Sequence, residues 1–264
     1  RKVEYGSRLC AGYVVPEDDF YARMIKESGV NLVGRSATPE FSMALCADTV
    51  LFGNTSNPWK KGYSTSGSSG GAAAAVASGM VPIAHASDLG GSTRGPAAWC
   101  GTVGLHPSRG RVSVGPGASE SGDGMTQSSI VTRSLRDTAI MLDALSVAQS
   151  GDPFIVRRPQ RSYADYMNGS DCKLKIGWSA KPLMGAPVDL EVAAAVERTA
   201  EVLADRGVLL VERVVRGDQG QDPARPEGRR GYPGGAGVRP IRIRPRAGGR
   251  PSASPPTPRA RPCA

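Results

Sequence analysis

Pro16, Glu17, Asp18 and Asp19 lead into an apolar stripe of Phe20, Met24 and Ile25, and Gly29 closes the segment. Acids favour the positive end of a helix and glycine can take the left-handed conformation that ends one, so the pattern predicts a helix of about three turns. Val30 to Val33 then reads as a short buried strand. Ser134-Leu135-Arg136-Asp137 resembles a capping box with Asp in place of Glu, and Ile140, Met141, Ala144 and Leu145 follow at helical spacing. Leu174 to Ser179 reads as a strand, Asp189 opens a helix through Val192, Val196 and Leu203 to Gly207, and Val208 to Val211 reads as a further strand. Between these lies an alternation of another kind. Ser66 to Gly71 is a small-residue loop, Ala72 to Ser78 has strong helix propensity, Val81 to Ser87 is strand-like, and Asp88 to Ser92 is a second tight loop. Helices alternating with short apolar strands predict an α/β layered domain.

The pattern stops near Val214, which divides the chain into a domain over residues 1–214 and a tail over residues 215–264. The tail holds 11 Arg, 10 Pro and 9 Gly against three acids, and so carries +8 of the chain's net +9. A basic chain ordinarily suggests nucleic acid or an anionic membrane as partner. Here the charge sits in a segment with too few apolar residues to offset chain entropy, so the tail is expected to stay unfolded and the body is close to neutral. The change is abrupt enough to suggest an out-of-frame reading of a GC-rich gene, with a genuine disordered tail as the alternative. The arginines lack interleaved aromatics, so no nucleic-acid partner is expected. No run of apolar residues is long enough to span a bilayer and no leader pattern opens the chain, so no membrane partner and a cytoplasmic location are expected. Cys10, Cys46, Cys100, Cys172 and Cys263 are widely spaced, without a CxxC or a nearby His pair, and read as reduced thiols rather than metal ligands.

Candidate chemistry concentrates in residues 62–111. A Gly/Ser run alone is usually a turn or linker, but a linker is not followed at once by an Ala-rich helix, a strand and a second Gly-Gly-Ser. Gly67-Ser68-Ser69-Gly70-Gly71 matches a G-x-S-x-G nucleophile elbow, which would need an acid and a late histidine. The chain's two histidines, His85 and His106, lie too close after Ser69 for that role, and each reads as structural or surface. A phosphate loop is disfavoured by the absence of GxxxxGK[ST].

The stretch from Ser66 to Pro96 resembles the amidase signature, whose pattern runs approximately GGSSGG, an Ala-rich helix, a strand and (S/T)D-x-GGS-x-R-x-P. Gly34 to Phe41, Leu51 to Trp59, Gly104 to Arg111 and Thr132 to Asp137 also look like family segments, and the flanking sequence is most similar to bacterial amidases of the 6-aminohexanoate cyclic-dimer hydrolase type. The likeness covers most of residues 5–213. It implies an amidase-signature fold, α/β with a mixed sheet covered by helices on both faces, incomplete here at both ends.

Carried over residue by residue, the resemblance implies a Ser-Ser-Lys amide-bond hydrolase acting on linear or cyclic amides. Ser92 is then the nucleophile and Ser68, after a cis peptide bond from Gly67, the serine that relays its proton to a lysine base. The backbone N–H groups of Leu89, Gly90, Gly91 and Ser92 would form the oxyanion hole, and Asp88 and Arg94 would hold the loop's shape. A small-molecule amide is the implied partner, a homodimer is allowed, and neither a metal nor an organic cofactor is called for. Departures from the pattern matter too. Ser66 stands where Gly is usual, and Thr93 and Gly95 replace positions that are usually apolar. The family lysine lies farther upstream of the relay serine than the 67 residues that precede Ser68, while Lys2 is too near and Lys26, Lys60 and Lys61 fall outside the matching segment. The chain by itself is therefore expected to be inactive. A non-catalytic remnant and the amidase subunit of a tRNA-dependent amidotransferase are the alternatives.

Overall fold

The computed structural model describes residues 2–118, 120–169, 174–181, 186–206 and 208–212. The tail over 215–264, with Cys263, and Cys172 lie outside the described residues. Contacts divide the chain at Ser170/Asp171 into two units.

In the first unit, α1 (Phe20–Glu27) is followed by two short antiparallel pairs, β1 (Asp48–Thr49) with β2 (Gly53–Asn54) and β3 (Ser56–Asn57) with β4 (Lys60–Ser64). Then come α2 (Gly70–Ala77), β5 (Ile83–Asp88), α3 (Arg94–Cys100), β6 (Val103–Gly104), β7 (Gln127–Thr132), α4 (Leu135–Leu145) and α5 (Tyr163–Tyr166). β7 is the centre of a three-stranded antiparallel sheet, paired with β5 from Ile83↔Thr132 to Asp88↔Gln127 and with β6 at Val103↔Thr132. Successive residues of a strand face opposite sides, and β7 uses this. Ile130 packs with Tyr21, Met24 and Ile25 of α1 and Met141 and Leu145 of α4, whereas Val131 packs with Ala73 and Val76 of α2 and Cys100 of α3. Helices thus cover both faces of the sheet. Tyr21 also donates its hydroxyl to the Ser129 carbonyl at 2.8 Å, pinning α1 to β7.

The second unit holds β8 (Lys175–Trp178), α6 (Leu190–Asp205) and β9 (Leu209–Glu212), the two strands pairing in parallel across the helix. Both pairing senses therefore occur in an α/β chain.

The expected helices form where local chemistry starts them. Asp19 accepts from Ala22 N–H at 2.7 Å, Ser134 from Asp137 N–H at 3.1 Å and Asp189 from Glu191 N–H at 2.8 Å. Val30 to Val33 is different: it makes no strand, and Val33 is 74% exposed. An apolar run becomes a strand only beside a hydrogen-bonding partner, and no described residue supplies one here. No helix among the described residues is long and apolar enough to cross a membrane. Cys10, Cys46 and Cys100 are free thiols.

Candidate active site

The two serine-glycine loops open α2 and α3, and the β5 strand runs between them in sequence. Gly67–Ser68 is a cis peptide, Ser68 is almost fully buried and Ser92 is half-buried. The loops touch through the backbone, Ser69 N–H donating to the Ser92 carbonyl at 3.1 Å. Ser69 adds a second clasp, because its hydroxyl accepts from Ser87 N–H at 3.2 Å and donates to the Ser87 carbonyl at 3.3 Å. This residue, the formal elbow nucleophile, is occupied in tying α2 to β5. The hydroxyls of Ser68 and Ser92 share no hydrogen bond, and neither has another partner among the described residues.

Asp88 organises the second loop. It ends β5, its side chain is wholly buried, and its two oxygens gather five donors. Oδ1 accepts from Gly91 N–H at 2.7 Å and Arg94 Nη2 at 2.8 Å, and Oδ2 from Thr93 N–H at 3.1 Å, Arg94 N–H at 3.1 Å and Arg94 Nε at 2.9 Å. Burial alone would raise this carboxyl. The Arg94 guanidinium and then the N–H groups of Arg94, Gly91 and Thr93 outweigh it and hold the group well below the usual carboxylate range. A charge-assisted cage of this kind fixes the backbone on both sides of Ser92. Gly91 N–H is consumed by the cage, while the N–H groups of Leu89, Gly90 and Ser92 have no acceptor among the described residues. No described residue comes within 4 Å of a Cβ built at Gly90 or Gly91, so a flat carbonyl group could approach the bare backbone there.

His106, which reads from the sequence as a structural or surface residue, takes a joining position. Its Nε2 lies 3.0 Å from both the Asp88 and Met125 carbonyls, joining the end of β5 to the segment before β7. His85 is exposed on β5 and lies against the Tyr21 ring at 4.5 Å. Thr93 is completely buried and its hydroxyl has no partner among the described residues. Ser66 adopts φ 62°, which accounts for glycine being usual there, and its hydroxyl lies 3.1 Å from where a Cβ at Gly95 would stand. Two of the three departures from the sequence pattern, Ser66 and Gly95, thus face each other.

None of the early lysines reaches the serines. Lys2 sits in an isolated bridge with Val14, Lys26 pairs with Asp18, Lys60 lies over the Tyr63 ring at 4.0 Å, and Lys61 is exposed on β4. Among the described residues no group of three or more His, Cys, Asp or Glu could hold a metal ion.

The family model described as Amidase matches residues 2–216. The 6-aminohexanoate-cyclic-dimer hydrolase of Paenarthrobacter ureafaciens is 37% identical over 200 residues, which is 75% of this chain and 41% of the relative. A solved structure of 6-aminohexanoate cyclic dimer hydrolase superposes with a TM-score of 0.74 at 35% identity, covering 79% of this chain and 44% of that one. One subunit of the glutamyl-tRNA(Gln) amidotransferase of Acinetobacter baumannii is 34% identical over 212 residues, 80% of this chain and 43% of the relative. The chain spans less than half the length of these relatives.

Proposed function

This chain belongs to the amidase family, and from that premise we propose that it carries the acylating part of an amide-hydrolysis site. Ser92 Oγ bonds to the carbonyl carbon of a carboxamide, its proton passes to Ser68 and on to a base, and the carbonyl oxygen becomes the oxyanion. The N–H groups of Leu89, Gly90 and Ser92 stabilise that oxyanion, and Gly91 contributes by anchoring to Asp88. Collapse expels ammonia or an amine with its proton, and water then releases the acid from the Ser92 ester. The observation that carries this reading is the five-donor cage on Asp88, which holds the backbone around Ser92 while leaving its hydroxyl unengaged.

No described lysine lies with the serines, so we propose that residues 1–214, as a partial amidase domain, turn over amides negligibly without a base from elsewhere. An alkyl fluorophosphonate tests nucleophile and base together. It bonds to an activated serine oxygen with loss of fluoride, and rising pH substitutes for a missing base. Intact-mass spectrometry is expected to show slow labelling of the 264-residue chain that accelerates with pH and disappears in Ser92→Ala. Labelling unchanged in Ser92→Ala would refute the nucleophile. Turnover of a simple aryl amide that is lost in Ser92→Ala would refute the missing base.

The likeness to one subunit of an amidotransferase supports a second reading, in which the chain works only with partner subunits. Activity that appears on adding those subunits, and not on adding a lysine-bearing segment, would favour it.

A further inference from the structure

A shallow open groove adjoins the Ser92 loop, lined by ten residues that include Leu89, Arg94, Leu105, His106, Arg109 and Met125. Three of the ten are basic and none is an acid. The three differ in what they have left to offer. Arg94 is committed to Asp88 through two side-chain hydrogen bonds. His106 donates Nε2–H toward two carbonyls. Arg109 donates only Nε–H, to the Gly124 carbonyl at 3.1 Å, and its terminal nitrogens have no acceptor among the described residues.

The Arg109 guanidinium is also seated. It lies directly against Gly124, where an added Cβ would stand 2.6 Å from Nε, so the absence of a side chain at Gly124 lets the group settle on the backbone. Glu120 and Asp152 share a small cavity with Arg109 on another side, yet neither forms an ion pair with it. A guanidinium fixed at Nε and open at its two terminal nitrogens presents a planar fork that matches a carboxylate. Leu89 and Met125, 47% and 54% exposed, add apolar surface to the same groove.

We propose that this groove binds the anionic end of the substrate, a carboxylate joined to the amide through an apolar spacer and seated on Arg109. The proposal rests on the Ser92 reading only for the identity of the molecule that carries the carboxylate. It adds a specificity-determining residue, Arg109, and a substrate class, amides that bear a carboxylate.

The test compares ω-acetamidoalkanoates of increasing length with N-alkylacetamides of matching length, by titration calorimetry on the full chain and on its Ser92→Ala form. The acid is expected to bind about fivefold tighter than its neutral partner, on the scale of a charge-assisted pair in a partly open groove. That preference should shrink as salt is raised, vanish in Arg109→Gln and survive in part in Arg109→Lys, which keeps the charge but not the fork. Equal binding of acid and neutral amide, or no binding of either, overturns the proposal. So does an acid preference that Arg109→Gln leaves intact, or one that Arg109→Lys fully preserves should the Gln variant not fold. Failure of fluorophosphonate labelling with the acid preference retained would sink the catalytic reading and leave this one standing.

Discussion

Where the first loop enters α2, Gly67 and Gly71 are hemmed in by backbone, whereas in the loop that follows β5 no described residue crowds Gly90 or Gly91. A Cβ at Gly67 would meet Cys46 N at 2.5 Å and the Ala44 carbonyl oxygen at 2.6 Å, and one at Gly71 would meet Ala37 N at 2.5 Å. No described residue lies within 4 Å of a Cβ built on Gly90 or Gly91, although Gly91 has φ 127°, which disfavours any other residue. Similar composition therefore serves two purposes. The first loop is a packing joint, where glycine lets segments distant in sequence close onto Ser68. The second is a presenting surface, shaped by the Asp88 cage from beneath and left bare on top.

Placing the same methyl group in each loop separates the two roles. Gly71→Ala is expected to destabilise the chain by about 3 kcal/mol, because the opposing atoms are backbone and cannot step aside, and this exceeds the ~1 kcal/mol that alanine gains by helix propensity. Gly90→Ala should stay within about 0.5 kcal/mol. Denaturant unfolding of both variants checks the pair, and equal losses would erase the distinction between the loops.

Asp88→Asn comes next in size. Removing the charge leaves Arg94 unpaired, but Arg94 is 54% exposed and can return to water, so the expected loss is about 2 kcal/mol rather than the larger cost of a wholly buried pair. The pH dependence carries a sign. The folded carboxyl titrates below its unfolded value of about 3.9, so its contribution is complete above that pH and fades as pH falls through the depressed folded value. Wild type and Asp88→Asn should therefore converge in stability under acid. Unfolding curves that stay parallel down to pH 2 or so would show that the cage is not what Asp88 supplies.

Ser66→Gly has a smaller effect than Asp88→Asn, and of the opposite sign. It relieves a left-handed serine worth roughly 1–2 kcal/mol and surrenders part of that to unfolded-chain entropy, which leaves a gain below about 1 kcal/mol and a rise in Tm of roughly 2 °C. A fall in Tm would mean that the Ser66 hydroxyl, set against Gly95, contributes more to joining the loops than its backbone costs.

The elements that could be read from the chain are those with local causes. α1, α4 and α6 begin at Asp19, Ser134 and Asp189, whose side chains cap them within three residues, and β8 and β9 flank α6 as their apolar runs suggest. The segments that escaped reading have distant causes. β7, the central strand, spells Gln-Ser-Ser-Ile-Val-Thr, too polar to announce itself, and is a strand because β5 and β6 hydrogen-bond both its edges. α3 begins Arg-Gly-Pro, which reads as a break, and forms where the Asp88 cage holds its first turn. Val30 to Val33 shows the converse, with strand-like residues and no partner.

For the site, the residue types along the chain are enough to pick out the candidates: two serines flanking a helix and a strand, their glycines, Asp88 and Arg94, together with the amidase likeness. What each of them touches is set by the folded chain. Which glycines are compressed and which lie open depends on Ala37, Ala44 and Cys46, more than twenty residues away. That Ser69 clasps Ser87, that Gly91 N–H belongs to Asp88 and that Arg109 keeps two nitrogens without an acceptor among the described residues depends likewise on distances across the fold. Hydrogen bonds and steric contacts act over a few ångströms of space, so a residue's chemistry is written in its type, but its partners are set by the folded chain.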